Sequence, residues 1–357
     1  MSNPAEVVNP SPGDTSQARF HRRWGRLKDP HVRALAWLLD APDLLDPEAP
    51  QWDGRIASLA TDVAQGGVDS WLHELDTDPQ ALHDALSLSP ATRLGRYAEN
   101  LLAFYFRWRG ILFSHGLQVR AAPEGDGMDG AGCMEISKRK GRTIGEFDFL
   151  LWDHRALLHL ELATKFYLFE RAGRGDRDPG EDFIGPNLAD TLSAKMHKIL
   201  HRQLALATHP AAQAYLPQAI ARSQALIKGW LFYPADLPTA PCAARGSPGV
   251  AQRHCRGIWC SLAAVEQLDA PAFLPLARLS WLAPARADDA TVMDKTAVRD
   301  YLHRHFADDT MPMLVALMAR HESAWYETNR CFIVPDDWRT RVHERNQRTV
   351  LRMDGDP

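Results

Sequence analysis

Two apolar, strand-like segments carry charge where burial would make charge costly. One reads Gly145-Glu146-Phe147-Asp148-Phe149-Leu150-Leu151, and the other reads His159-Leu160-Glu161-Leu162-Ala163-Thr164-Lys165, with Glu161 thirteen residues after Asp148. A carboxylate in such surroundings stays charged only with an ion pair, several hydrogen bonds or a bound cation. A salt-bridge network with Arg142, Arg155 or Lys165 would meet the need. So would a shared metal: two carboxylates from neighbouring strands, a backbone carbonyl and waters form the oxygen shell that Mg²⁺ or Mn²⁺ prefers. An ion held this way activates water and offsets charge on a phosphodiester, while a nearby lysine orients that water or neutralises the phosphate.

The flanking pattern says which elements must hold these groups. Residues 143–152 alternate, placing Ile144, Glu146, Asp148 and Leu150 on one face and Phe147, Phe149 and Leu151 on the other; residues 156–169 are the antiparallel partner across Asp153-His154-Arg155. Upstream, Ser89 as N-cap and Pro90 at the first helical position open a helix with Leu94, Tyr97, Leu101 and Trp108 on its apolar side, closed by Gly110. That helix carries Glu99. Between it and the hairpin, residues 116–120 alternate like a strand, and residues 133–138 form a further short segment after a Gly/Asp loop. Beyond a charged loop at 171–185, residues 186–206 have helical periodicity, with Leu188, Leu192, Met196, Ile199 and Gln203 or Leu204 inward. A buried-looking strand at 225–233 follows and stops at Pro234. Helix, strands, helix, strand predicts a mixed sheet with helices packed on it.

Glu99 on a helix, then Asp148, then Glu161 with Lys165 resembles the PD-(D/E)XK nuclease motif, and the element order agrees. The phrases Pro30-His31-Val32-Arg33-Ala34-Leu35-Ala36-Trp37, Ile184-Gly185-Pro186-Asn187 and Gly229-Trp230-Leu231-Phe232-Tyr233-Pro234 are similar to an uncharacterised bacterial family, DUF 1853, that has been grouped with that superfamily. The resemblance implies an α/β (α+β), restriction-endonuclease-like mixed sheet flanked by helices. It also implies a metal-dependent nuclease, with Asp148, Glu161 and Glu99 holding Mg²⁺ or Mn²⁺ and Lys165 completing the catalytic set on a DNA or RNA partner. In one respect the chain departs from the motif: the superfamily's lysine falls two residues after the glutamate, where this chain has Ala163. Four strand residues span about 13 Å against about 7 Å for two, so Lys165 reaches the metal only by bending back or through a β-bulge. Lys195 or Lys198 on the following helix could supply the charge instead. A chain that kept the fold without the chemistry would be a module binding nucleic acid or a protein partner.

The remaining sequence sets bounds. Of 357 residues, 45% are hydrophobic and 24% charged, ordinary for a globular chain of two domains or one core with additions. The formal charge of −4 excludes a generally basic nucleic-acid coat protein, yet the sign is uneven. Residues 40–90 hold eleven acids against Arg55 alone, whereas 19–28, 137–142 and 339–352 are basic. No apolar run reaches the roughly 20 residues of a membrane helix, and five scattered cysteines without a CxxC pair point to reduced thiols in the cytoplasm. The expected organisation is a disordered leader at 1–27, a helical N-terminal extension at 28–88, the nuclease-like core at 89–235, and a C-terminal α+β region at 236–357 packed on it. In that last region, short strands contain Trp259 and Trp281, and a mostly helical end contains Trp325 and Trp338. Gly125-Asp126-Gly127-Met128-Asp129-Gly130 matches a dinucleotide fingerprint in letters, but no helix follows to receive a phosphate. His197 and His201, and His254-Cys255 with Cys260, lack the spacing or further ligands of a zinc site.

Overall fold

A computed structural model describes residues 15–60, 67–121, 142–171, 178–237 and 249–353, with side chains as far as 347. The glycine-rich 125–130 loop and the segment at 133–138 lie outside the described residues.

Local chemistry explains most element boundaries. Helix α1 is Ser16–Trp24 and α2 is Pro30–Asp40; the Asp29 carboxylate accepts from the backbone N–H of His31 and Val32, with Pro30 at the first turn. Phe20, Trp24 and Leu27 are buried, and a His21 ring nitrogen lies 2.9 Å from the Glu327 carbonyl oxygen. Of the stretch expected to be a disordered leader, residues 1–14 lie outside the described residues, and Ser16–Trp24 is helical, its aromatic residues packed toward strand residues from the far end of the chain. Helices α3 (Val68–Thr77) and α4 (Gln80–Ser87) fill out the helical extension. Helix α5 spans Leu94–Trp108, four residues later than Ser89-Pro90 suggested. Asn100 Nδ2 donates to the Ser89 carbonyl at 2.6 Å, so that oxygen serves a side chain instead of a first helical turn.

The strands are β1 (Leu112–Arg120), β2 (Thr143–Asp153), β3 (Ala156–Phe169), β4 (Phe183–Ile184), β5 (Ile220–Pro234), β6 (Cys255–Ser261), β7 (Ala272–Pro275), β8 (Arg286–Ala287), β9 (Met313–His321) and β10 (Ala324–Val334). They form one mixed sheet in the order β1-β2-β3-β5-β6-β10-β9-β7, with β4 on β3 and β8 on β10. The expected β2–β3 hairpin is present, closing at Asp153 opposite Ala156. β3, β5, β6 and β10 run parallel to their neighbours in turn, so the C-terminal region continues the central sheet instead of forming a layer upon it. Trp325 belongs to β10 and Trp281 follows a single 3-10 turn, against the helical and strand positions expected for them.

Helices α2 and α5 cover one sheet face, where Trp37 stacks on Trp230 with ring centroids 6.1 Å apart. The opposite face lies under α6 (Leu192–Lys198) and the turns that follow it. Helices α7 (Lys295–Asp308) and α8 (Trp338–Met353) complete the C-terminal part. Among the described residues no helix is long and apolar enough to cross a membrane.

Candidate active site

The site begins where the β2–β3 ladder ends. Pairing runs from Asp153↔Ala156 to Phe149↔Leu160 and stops. Upstream of Phe149, β2 keeps its other partner, β1, and leaves β3, so the two strands of the hairpin fork with Asp148 and Glu161 at the apex. The Asp148 side chain replaces the lost ladder bond: its Oδ2 accepts from the Leu162 N–H at 2.9 Å. Alternation also breaks here. Phe147 packs with Leu150 in one apolar cluster, while Phe149 and Leu151 belong to the cluster on the other face. Phe147 was expected beside Phe149 and Leu151, and the three-residue step to Leu150 corrects that. Across the ladder, Gly116 falls between the partners of Phe147 and Phe149 with φ +64, a backbone twist that a side chain would strain; a Cβ there would also press on the Arg96 guanidinium at 3.2 Å.

Glu161 sits behind the apex, 1% exposed, and both its oxygens are engaged. His159 Nε2, two residues back on the same strand face, lies 2.7 Å from Glu161 Oε1, and Gln203 Nε2 donates to Oε2 at 2.5 Å. Gln203 reaches it because the helix expected over 186–206 starts only at Leu192, capped by Thr191, and opens into a π turn at Ile199–Gln203. The wider turn advances the side-chain phase and turns Gln203, one of the two residues expected inward at this end of the helix, onto the carboxylate. Gln203 Oε1 in turn accepts from Lys195 Nζ at 3.4 Å. Glu99, from α5, faces the same apex and has one oxygen taken by Arg96 Nη1 at 3.0 Å. Lys165, further along β3, points to Asp190 instead, with Nζ 3.4 Å from Oδ2, and Tyr167 donates to the same oxygen at 3.2 Å.

The electrostatics follow from crowded, half-buried carboxylates. Burial, then the charges of Glu161 and Glu99, push Asp148 up to about 8, against the Leu162 N–H, which favours the anion. Burial raises Glu99 as well, and Arg96 opposes that rise. Lys195 is carried down to about 8 by burial and by its neighbours Lys165 and Lys198.

A cleft of about 1590 Å³ opens from the fork. Asp148, Glu99 and Glu146 line it together with Lys165, Lys195 and Gln203, and Glu161 is hidden beneath. Seven Lys and Arg residues line it against four carboxylates, so the cleft is cationic in a chain of net charge −4.

Asp148 keeps Oδ1 and Glu99 keeps Oε1 free of the bonds just described, and two raised carboxylates in one cationic cleft suit a hard, oxygen-seeking cation. Yet no group of three or more His, Cys, Asp or Glu among the described residues converges to metal-holding distance. The structure places Asp148, Glu161 and Glu99 about one apex without closing them to metal-holding distance, sets Lys165 apart on Asp190, brings the alternative lysine Lys195 to Gln203, and adds His159. His159 was legible, since alternation puts it on the Glu161 face, but no sequence signal marks the π turn.

No curated protein and no solved structure matches the chain. The family model described as a domain of unknown function, DUF1853, matches residues 33–334, and the chain belongs to that family.

Proposed function

We propose that this chain is a metal-dependent phosphodiester hydrolase of nucleic acid, built on a restriction-endonuclease-like core of the PD-(D/E)XK type. The observation that carries the reading is the fork: Asp148 stands at the mouth of a cationic cleft with Glu161 and Glu99 about it, and although its Oδ2 caps the broken ladder, its charge is opposed by burial and by those two carboxylates. Asp148, Glu99 and, with a shift of Gln203, Glu161 would hold Mg²⁺ or Mn²⁺. The bound ion would supply an activated water and neutralise charge at the phosphate. The chain's own groups do the rest. Lys195, near 8, can exchange a proton close to neutral pH and takes the part that the motif gives to its lysine. Lys165, tied to Asp190, steadies the loop that forms the cleft rim. Arg96 and Lys198 hold phosphates against the carboxylates' repulsion.

A second reading, a binding module that kept this fold without its chemistry, is favoured by one observation: both Glu161 oxygens are already hydrogen-bonded, to His159 and Gln203. Cleavage of labelled single- and double-stranded DNA and RNA with Mg²⁺ or Mn²⁺ decides between them. Metal-dependent cutting lost in Asp148→Ala, Glu161→Ala and Lys195→Met, with Lys165→Met much less affected, supports the hydrolase. Binding without cutting by the wild type supports the module.

A further inference from the structure

The cleft has two walls of different chemistry. One, from α5, β2, β3 and residues 190–203, carries most of the cations and all four carboxylates. The other comes from the C-terminal region and the end of the fork: Trp281, Phe166, Pro312 and the exposed Arg278 and Met311. Trp281 is held firmly. Its Nε1 donates to the Leu276 carbonyl at 3.0 Å, and its ring meets Phe166 and Phe332 edge-on, at centroid distances of 5.5 and 5.1 Å. The Arg278 guanidinium carbon sits 5.7 Å from the ring centroid. The indole is nonetheless only partly buried and borders the cleft.

We propose that this wall is a base-stacking platform, and that the substrate entering the fork is single-stranded nucleic acid. The inference rests on the reading of the cleft as a nucleic-acid site and adds to it which form of nucleic acid fits. An indole already fixed by a hydrogen bond and two aromatic contacts loses little freedom when a base stacks on it. In a duplex every base face inside the helix is covered by its neighbours, so a stacking platform rewards only bases that are already unstacked. The cationic wall supplies the phosphate contacts that any nucleic acid would use, and those alone would not distinguish strand state. The volume agrees: about 1590 Å³ exceeds the ~300–1,000 Å³ of small-molecule pockets and suits a segment of polymer.

The test is fluorescence anisotropy in EDTA, where metal-assisted cleavage does not compete, with the full chain and three labelled probes prepared as DNA and as RNA. The probes are a short single strand, its duplex and an abasic strand of the same length, with the single strand also measured at raised salt. The wild type is expected to bind the single strand about 10-fold or more tightly than either the duplex or the abasic strand, with affinity falling as salt rises. Trp281→Ala is expected to lose that ~10-fold for the base-bearing strand while leaving the abasic strand's affinity unchanged. Trp281→Phe, which keeps a ring against Phe166 and Phe332, guards against a folding defect and should give an intermediate affinity. Equal binding of duplex and single strand, or an equal loss for both strands in Trp281→Ala, overturns the platform while the nucleic-acid reading stands. Absence of binding to all three probes, in EDTA and again with Ca²⁺ in its place, overturns both.

Discussion

Replacing Asp148 by Asn should stabilise the protein, and the size of the gain is set by the crowding at the fork. The amide oxygen of the substituted side chain can still accept from the Leu162 N–H, so the 2.9 Å bond that caps the broken ladder survives. What disappears is a charge that burial and the Glu161 and Glu99 carboxylates oppose. Each tenfold change in proton affinity is worth about 1.4 kcal/mol, so carrying the carboxyl from 3.8 to about 8 costs the ionised form at most ~6 kcal/mol. Water at the cleft mouth screens part of that, leaving an expected gain of about 2–3 kcal/mol. A carboxyl raised on folding binds more protons in the folded state than in the unfolded chain between pH 3.8 and about 8. Wild-type stability therefore falls as pH rises through that window and levels off above it. Urea unfolding from pH 4 to 9 should show the gain from Asp148→Asn near zero at the acid end and full by pH 8–9, with unchanged m-value. Parallel pH profiles for the two proteins, or a substituted protein less stable than wild type at pH 8, would refute the account of a strained carboxylate.

If the strain exists to hold a cation, millimolar Mg²⁺ or Mn²⁺ should raise the wild-type Tm, reversibly with EDTA, and leave Asp148→Asn unmoved; ligand at ten times its Kd contributes about 1.4 kcal/mol. Equal shifts in the two proteins would place any ion elsewhere. Gln203→Ala removes the donor to Glu161 Oε2 and the acceptor of Lys195, and should cost about 1–3 kcal/mol by urea unfolding; a neutral result would mean water replaces the amide. At the acid end a different group acts: burial and Arg33 hold the His21 imidazole down to about 3, so the unfolded chain protonates first. Stability from His21 is thus complete above pH ~6.5 and lost as pH falls toward 3, and His21→Gln should flatten that part of the profile.

Much of this architecture can be read from residues alone, wherever local chemistry decides it. Asp29-Pro30 starts α2 by capping and by a preset backbone angle, and the strands around Asp153-His154-Arg155 pair because alternation and a short turn leave them no better partner. The charged positions inside those strands, Glu161 above all, stand out for the cost of burying them. Other features depend on partners distant in sequence. Ser16–Trp24 is a polar, short helix whose order comes from burying Phe20 and Trp24 beside β10. The 236–357 region joins the central sheet because β10 finds β6, a parallel pairing that no turn announces. The fork exists because β2 follows β1 beyond Phe149 and leaves β3, and Gln203 reaches Glu161 because one helical turn widens to a π turn. Residue type and spacing therefore named the carboxylates. Which lysine faces them, what holds Glu161 and how wide the cleft opens depend on strand divergence and helix phase, and both are fixed by packing across the whole sheet.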